Sequence, residues 1–402
     1  MDIVGRRAPD LRVKILRIAE VAGVFLKLGA TSYGGPAVIG ILQAEVQEKR
    51  GWLSKERFVE GLALVNMLPG PGVTQLAMFI GYARAGWWGG LCAGISFVLP
   101  AFVIMLGLTL FYTHVGAVPR VRSLFYGLNP VVVGIFAVAV YRLARVAIAD
   151  RKQAALAVAG ALVIGLTAVG IVPALLCAGA AGVALYRSRW VGVTAALAIV
   201  VATAGWHWTA GGLAGPGAAG LPSAGAAAAP SLTELGLFFL KVGAFTFGGG
   251  LSVLAFLQQQ VIDQLGWLTP QQFLDGLALG QLTPGAIIML AAFVGYQVAA
   301  LSGAAVAAVA IVLPAFILQL AVLPLMGRLR RASWMRAALR GISPVVIGMI
   351  GVAIARMVPS ALHDPLTTAL AVVTVGVLLL RKLGPLALMG GGAAIGLLAR
   401  AR

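Results

Sequence analysis

Apolar runs about 20 residues long, the length a bilayer-spanning helix needs, follow one another along nearly the whole chain. Short polar or basic clusters separate them. In the first half they predict spans near Ala19–Leu42, Phe58–Tyr82, Trp88–Tyr112, Ser123–Val140, Ala154–Gly170, Ile171–Tyr186 and Trp190–Trp206. The second half gives Leu235–Leu257, Phe273–Val298, Ser302–Met326, Trp334–Ile354, Thr367–Leu380 and Leu383–Ala399. The expected fold is an all-α polytopic membrane protein of about 13 spans. Trp87, Trp88, Tyr112 and Trp190 fall near span ends, as interfacial belts do.

The same motifs occur twice. FLKLGATSYGG at Phe25–Gly35 is answered by FLKVGAFTFGG at Phe239–Gly249, 214 positions on (239 less 25). Gly51-Trp52-Leu53 is answered by Gly266-Trp267-Leu268, FVEGLAL at Phe58–Leu64 by FLDGLAL at Phe273–Leu279, and Pro69-Gly70 by Pro284-Gly285. The register continues through Gly81-Tyr82 and Gly295-Tyr296, Leu99–Phe102 and Leu313–Phe316, Pro130 and Pro344, and Arg142 and Arg356. A register held this long is a duplication, and it places a site at the interface of two halves. The expected organisation is a cytoplasmic amphipathic lead-in (1–18), a first repeat with one extra helix (19–203), a Gly/Ala/Pro-rich linker (204–231) and a second repeat (232–402).

The extra helix, Trp190–Trp206, gives the first half an odd number of crossings. That predicts an inverted repeat with the N-terminus inside. Basic clusters at Arg142–Lys152 and Arg328–Arg331 would then be cytoplasmic, as loops retained inside are. The loop Glu48–Arg57, with Lys49, Arg50, Lys55 and Arg57, falls outside on this count unless Phe58–Tyr82 re-enters without crossing.

Composition narrows the function. The chain is 60% hydrophobic and 10% charged, so most of its surface must face lipid rather than water. The net charge of +18 sits in inter-span clusters rather than on a basic face, which argues against nucleic acid. Cys92 and Cys177 lie far apart in apolar runs, and His114, His207 and His363 make no cluster, so neither a metal nor another cofactor is expected. No nucleophile elbow, phosphate loop or paired-carboxylate motif supports an enzyme.

Four helix breaks fall at membrane depth. Gly34-Gly35-Pro36 and Gly248-Gly249-Gly250 form one pair, and Pro69-Gly70-Pro71 and Thr283-Pro284-Gly285 the other. Broken backbone is tolerated there only where it faces protein or a wet cavity. Helix ends at such breaks point amides at an anion, though close packing through glycine is an alternative reading. Asn66, Thr74 and Gln75 flank one break and Gln281 and Thr283 another, as neutral donors either for an anion's oxygens or for the broken backbone. Lys27 and Lys241 are equivalent. Each supplies counter-charge for an anion or snorkels to the headgroups. Glu60 and Asp275 are equivalent acids, open to two readings: proton coupling, or a favourable charge near a helix start behind Ser54 and Thr269.

These motifs together resemble the chromate ion transporter family: FLKLGATSYGGP, GWLSKERFVEGLAL and LPGPG in the first half, and FLKVGAFTFGGG, GWLTPQQFLDGLALGQLTPG and VGYQ in the second. The resemblance covers 25–150 and 239–364. It implies a long, two-domain secondary transporter of the bacterial inner membrane, with halves of opposite topology, that expels chromate and confers resistance to it. Sulfate, another tetrahedral dianion, is implied as a related ligand, and homodimerisation is left open. The second half departs from the pattern at Gly250, where proline is expected, and at Thr283-Pro284-Gly285. A channel for the same ions, a membrane-embedded enzyme or lipid-handling protein, and a non-transporting sensor are the competing classes.

Overall fold

A computed structural model describes residues 11–33, 36–116, 118–167, 169–199, 230–247, 250–284, 287–325, 333–380 and 383–400. Most of the linker, the glycine pairs Gly34-Gly35 and Gly248-Gly249, Gly285 and the Arg328–Arg331 cluster lie outside the described residues. Among those described, all regular structure is helical. The first half comprises α1 (Leu11–Thr31), α2 (Pro36–Gln43) running into a π-turn Ala44–Lys49, α3 (Lys55–Val65), α4 (Gly72–Val115), α5 (Pro119–Ala147), α6 (Arg151–Leu166), α7 (Ile171–Tyr186) and α8 (Arg189–Ile199). The second half comprises α9 (Leu232–Ala244), α10 (Ser252–Leu257) with its π-turn Gln258–Gln264, α11 (Pro270–Leu282), α12 (Leu290–Val322), α13 (Ser333–Ala361), α14 (Pro365–Leu380) and α15 (Pro385–Arg400). The two series match element for element, π-turns included, and α8 is the unmatched helix. Four helices, Gly72–Val115, Pro119–Ala147, Ile287–Val322 and Ser333–Ala361, are long and apolar enough to cross a membrane by length and composition.

Helix starts follow the caps the sequence offers. Ser54 Oγ accepts the Arg57 amide at 3.3 Å, and Thr269 and Gln272 form a reciprocal capping box with Pro270 in the first turn. Asp150 and Asp364, equivalent residues, cap α6 and α14 through the amides of Gln153 and Thr367. Those amides, then Tyr186 and Tyr126 respectively, hold the two carboxyls below their ordinary range.

The run Ala19–Leu42, expected as one span, is two antiparallel arms. Glu20 of α1 pairs with Arg50 beyond the π-turn at 3.2 Å, and Lys27 and Thr31 share a cavity wall with Ile41 and Glu45. A continuous helix would hold Glu20 and Arg50 about 45 Å apart. The reversal lies between Thr31, which ends α1, and Pro36, which opens α2. The next break reverses the chain again: Phe79 of α4 packs on Gly61 of α3, and in the second half Phe293 packs on Gly276. Phe238 against Trp267, 5.1 Å between ring centroids, closes the α9–α10 hairpin in the same way. Each half thus opens with two helical hairpins, α1–α2 and α3–α4 in the first and α9–α10 and α11–α12 in the second.

α4 and α12 are themselves folded. Ala85 and Gly86 leave helical geometry, and Gly81 lies directly on the Gly89 carbonyl; Ala299 and Ala300 do the same, with Gly295 on Gly303. The turn position is glycine at Gly86 (φ 69°) but alanine at Ala300 (φ 49°). Positive φ costs a residue with a Cβ about 1–2 kcal/mol. Ala300→Gly is therefore expected to stabilise the protein by about 1 kcal/mol, read as a raised unfolding midpoint in detergent. No gain there would show that the turn carries no strain.

The remaining helices exchange partners between halves. α5 packs on α14 and α15, and α13 on α6 and α7. The contacts are made by small residues in equivalent positions: Gly127 on Gly392 and Gly396, answered by Gly341 on Ala178 and Gly182; Gly134 on Ala371, answered by Gly348 on Ala157. Close backbone approach of this kind gives membrane helices their packing energy where the hydrophobic effect offers little. Arginines finish the exchange. Arg142 donates to the Leu378 carbonyl at the end of α14, and its equivalent Arg356 donates to Ile164 at the end of α6.

Candidate functional site

Three hairpin tips meet between the halves. The Gly70 amide, at the tip between α3 and α4, donates to the Thr246 carbonyl at the tip between α9 and α10, 2.6 Å away. Gly250, at the end of that second tip, lies against Ile287 at the tip between α11 and α12. Gly70 has φ 133° and needs to be glycine twice over, since a Cβ there would also lie 2.6 Å from Gln75 Nε2 and 2.8 Å from Ala315 Cβ.

The carbonyl ends of the tips are satisfied locally. Ser32 N donates to Leu28 O, Asn66 N to Leu62 O, Thr246 Oγ1 to Val242 O at 2.7 Å and Thr283 Oγ1 to Gly280 O at 2.7 Å. Ser252 Oγ clasps Phe247, accepting its amide and donating to its carbonyl, each at 2.8 Å. Gln75 Nε2 donates to the Pro69 carbonyl at 2.7 Å. Among the described residues, the buried polar atoms without partners include Ser32 Oγ, Thr74 Oγ1, the acceptor Gln75 Oε1, and both the nitrogen and oxygen of Gln319. Thr74, Gln75 and Gln319 are wholly inaccessible (0% exposed). An unsatisfied buried polar group costs about 1–3 kcal/mol. Thr74 and Gln75 stand in the first turn of α4 beside the Gly70 tip, and Gln319 lies one turn beyond the Ala315 that touches it.

The predicted site residues separate accordingly. Gly70, Pro71, Thr74, Gln75, Thr283 and Pro284 are buried at the tips, Gly250 borders them and Pro36 opens α2. Gln281 is half-buried, and Asn66 is exposed. Gly34, Gly35, Gly248, Gly249 and Gly285 lie outside the described residues. Lys27 and Lys241 are both exposed, which accords with snorkelling; Lys27 walls a cavity of about 230 Å³ with Glu45, Lys49 and Arg50. Ser32 and Thr246 escaped the sequence reading, although hydroxyls at one register beside both glycine pairs were a usable signal. Gln319 was signalled only as a lone amide in an apolar run; it lies one helical turn beyond Ala315, which touches the Gly70 tip.

The equivalent acids part company. Asp275 is buried, 6% exposed, and accepts Tyr112 Oη at 2.9 Å, Asn129 Nδ2 at 2.7 Å and Gln271 Nε2 at 3.1 Å. Tyr112 and Asn129 come from the first half, so this carboxyl joins the halves. The rings of Phe125 and Phe293 flank Tyr112 at 5.4 and 5.6 Å. Glu60, by contrast, is half-buried, and Ser343 stands at the register of Asn129.

Helical hairpins that meet between two duplicated and interlocked halves, with four helices among the described residues long and apolar enough to cross a membrane, define a polytopic helical membrane protein. The chromate transporter family profile matches residues 19–206 and 233–397, and the chain belongs to that family. It is 32% identical over 395 residues to a chromate transport protein of Cupriavidus metallidurans, covering 95% of this chain and 93% of that one. It is 33% identical to a chromate transport protein of Pseudomonas aeruginosa over 81% of this chain and 78% of the relative. No solved structure matches it.

Proposed function

We propose that the protein is a secondary transporter that exports chromate, or a closely related tetrahedral oxyanion, and binds it at the meeting hairpin tips. The observation that carries this reading is the buried Thr74 hydroxyl in the first turn of α4 beside the Gly70 tip and the Gln319 amide one turn beyond Ala315, both without partners among the described residues. A hydroxyl and an amide N–H suit a dianion that must be gripped and then released. A buried cation would hold it too well or cost too much when empty. Pro36, Gly70, Pro71, Thr283, Pro284 and the glycine pairs shape the tips, and Lys27 and Lys241 act outside them, attracting anions to the mouths.

The membrane potential supplies the drive. One charge through 100 mV gains about 2.3 kcal/mol, so two charges leaving a cell at roughly 150 mV gain about 7 kcal/mol, on the order of a 10⁵-fold gradient. Proton exchange adds to this through Asp275, the buried member of the acid pair.

Export also requires a direction, and the charges supply one. If all four hairpins re-enter, each half crosses the membrane four times and α8 once more, so the halves are inverted. The loop holding Lys49, Arg50, Lys55 and Arg57 then lies inside with the N-terminus. Its second-half equivalent, Gln258–Gln272, carries no basic residue and lies outside. Re-entry removes the misplaced basic loop of the continuous-span reading. Cysteines introduced at Lys55 and at Gln271 should react with impermeant reagent from opposite faces; labelling from one face would refute the inversion.

Equilibrium binding tests the site. Purified protein should bind radiolabelled chromate in competition with sulfate, and Gln319→Leu together with Thr74→Val should weaken binding about tenfold or more, the worth of one or two hydrogen bonds to a charged guest. Unchanged affinity in a folded double variant would place the anion elsewhere.

A further inference from the structure

A second cavity, of about 620 Å³, opens between the end of α6, the π-turn after α10 and the end of α13. Its charged walls are Arg356 and Asp263, joined at 2.7 Å and both about one-third exposed. The other Arg356 nitrogen is anchored on the Ile164 and Gly165 carbonyls at 3.1 and 3.4 Å, which fixes the guanidinium with one edge toward the cavity. Gln258 Nε2 stands 3.3 Å from each Asp263 oxygen. Beside it Gln259, 5% exposed, reaches the Val169 carbonyl with its nitrogen and leaves its buried Oε1 without a partner. A fixed arginine edge and an amide donor thus converge on one pair of oxygens, and the pair they hold is the chain's own carboxylate.

We propose that Arg356 and Gln258 form an anion-release site for a tetrahedral oxyanion, and that Asp263 is its built-in competitor. This rests on the export reading, in which all three walls lie on the outer face. A dianion arriving from the tips exchanges with the Asp263 carboxylate on Arg356, and the carboxylate's return expels it. The opposite mouth is built for capture. There the cavity is lined by Lys27, Lys49 and Arg50 against Glu45, with Glu20 behind them on Arg50, three positive charges to two negative, while the equivalent arginine, Arg142, is turned onto the Leu378 carbonyl. One mouth carries an excess of positive charge and the other is balanced. That is the asymmetry a one-way anion carrier needs, because a strong outer site would retain its cargo.

The test compares chromate flux from each face, in everted and right-side-out vesicles, for the wild type, Asp263→Asn and Asp263→Asn/Arg356→Gln. Asp263→Asn should lower the half-saturating chromate concentration at the outer face about threefold, the scale of a partly exposed ion pair. The inner-face value should stay unchanged, and the double variant should lose the gain. An equal shift at both faces, no shift, or a gain that survives loss of Arg356 would overturn the proposal. Radiolabelled sulfate binding to the same purified proteins, each checked for its unfolding midpoint, reads the site without transport. If no variant carries chromate, the export reading falls; tighter sulfate binding in Asp263→Asn that the double variant loses would still support the site, and its absence would end it.

Discussion

Gly70→Ala is expected to reduce chromate flux at least about a hundredfold while leaving a folded protein, because the substitution acts at the meeting point of the tips. The backbone there has φ 133°, which strains any residue with a Cβ by roughly 1–3 kcal/mol. The new methyl must also displace Gln75, whose amide holds the Pro69 carbonyl, and press on Ala315 of α12, the helix that presents Gln319 one turn later. The Gly70–Thr246 link between the halves then opens, and Thr74 and Gln319 shift relative to each other. Gly86→Ala is the matched control. It too imposes positive φ on alanine, but a Cβ there meets open space. It should lower the unfolding midpoint without a comparable loss of flux. If both variants lose flux equally, backbone strain alone explains Gly70 and the tip has no special part in binding.

Asp275→Asn is expected to abolish the response of chromate flux to an imposed pH gradient, with the flux driven by membrane potential retained in part. Asp275 is held by three neutral donors, two of them reaching across from the other half, so a proton gained or lost there changes how the halves are joined. An uncharged amide of the same shape cannot exchange that proton, and its own N–H groups would face donors. Glu60→Gln should leave the pH response intact, because Glu60 is half-buried rather than buried and methionine and serine, at 326 and 343, stand at the registers of Tyr112 and Asn129. A wild-type flux indifferent to the pH gradient would remove proton coupling from the account; a pH response retained in Asp275→Asn would move it to another group.

Some of this was legible in the sequence for identifiable reasons. Duplication leaves its register in rigid positions such as Pro69-Gly70 and Pro284, and Gly70 fell on a tip. The reversal within Ala19–Leu42 was not legible, since an apolar run interrupted by glycine reads the same whether the chain bends or reverses; only the pairing of Glu20 with Arg50 decides it. The exchange of helices was hidden because Gly127 and Gly341 would suit a partner from either half. Asp275 was visible as an acid equivalent to Glu60, but its donors Tyr112 and Asn129 lie more than a hundred residues upstream and follow no sequence pattern. Gln319 was obscured by its surroundings, a single amide among apolar neighbours.

The central claim is that meeting hairpin tips carry a dianion outward along the membrane field. The measurement that bears on it most directly is radiolabelled chromate movement in proteoliposomes under potassium-diffusion potentials of both signs. The account predicts saturable flux of the wild type that reverses with the sign of the potential, is inhibited by sulfate, and is nearly lost in Gly70→Ala. Flux that ignores the potential, or no flux from folded wild-type protein under either sign and with or without a pH gradient, would contradict it.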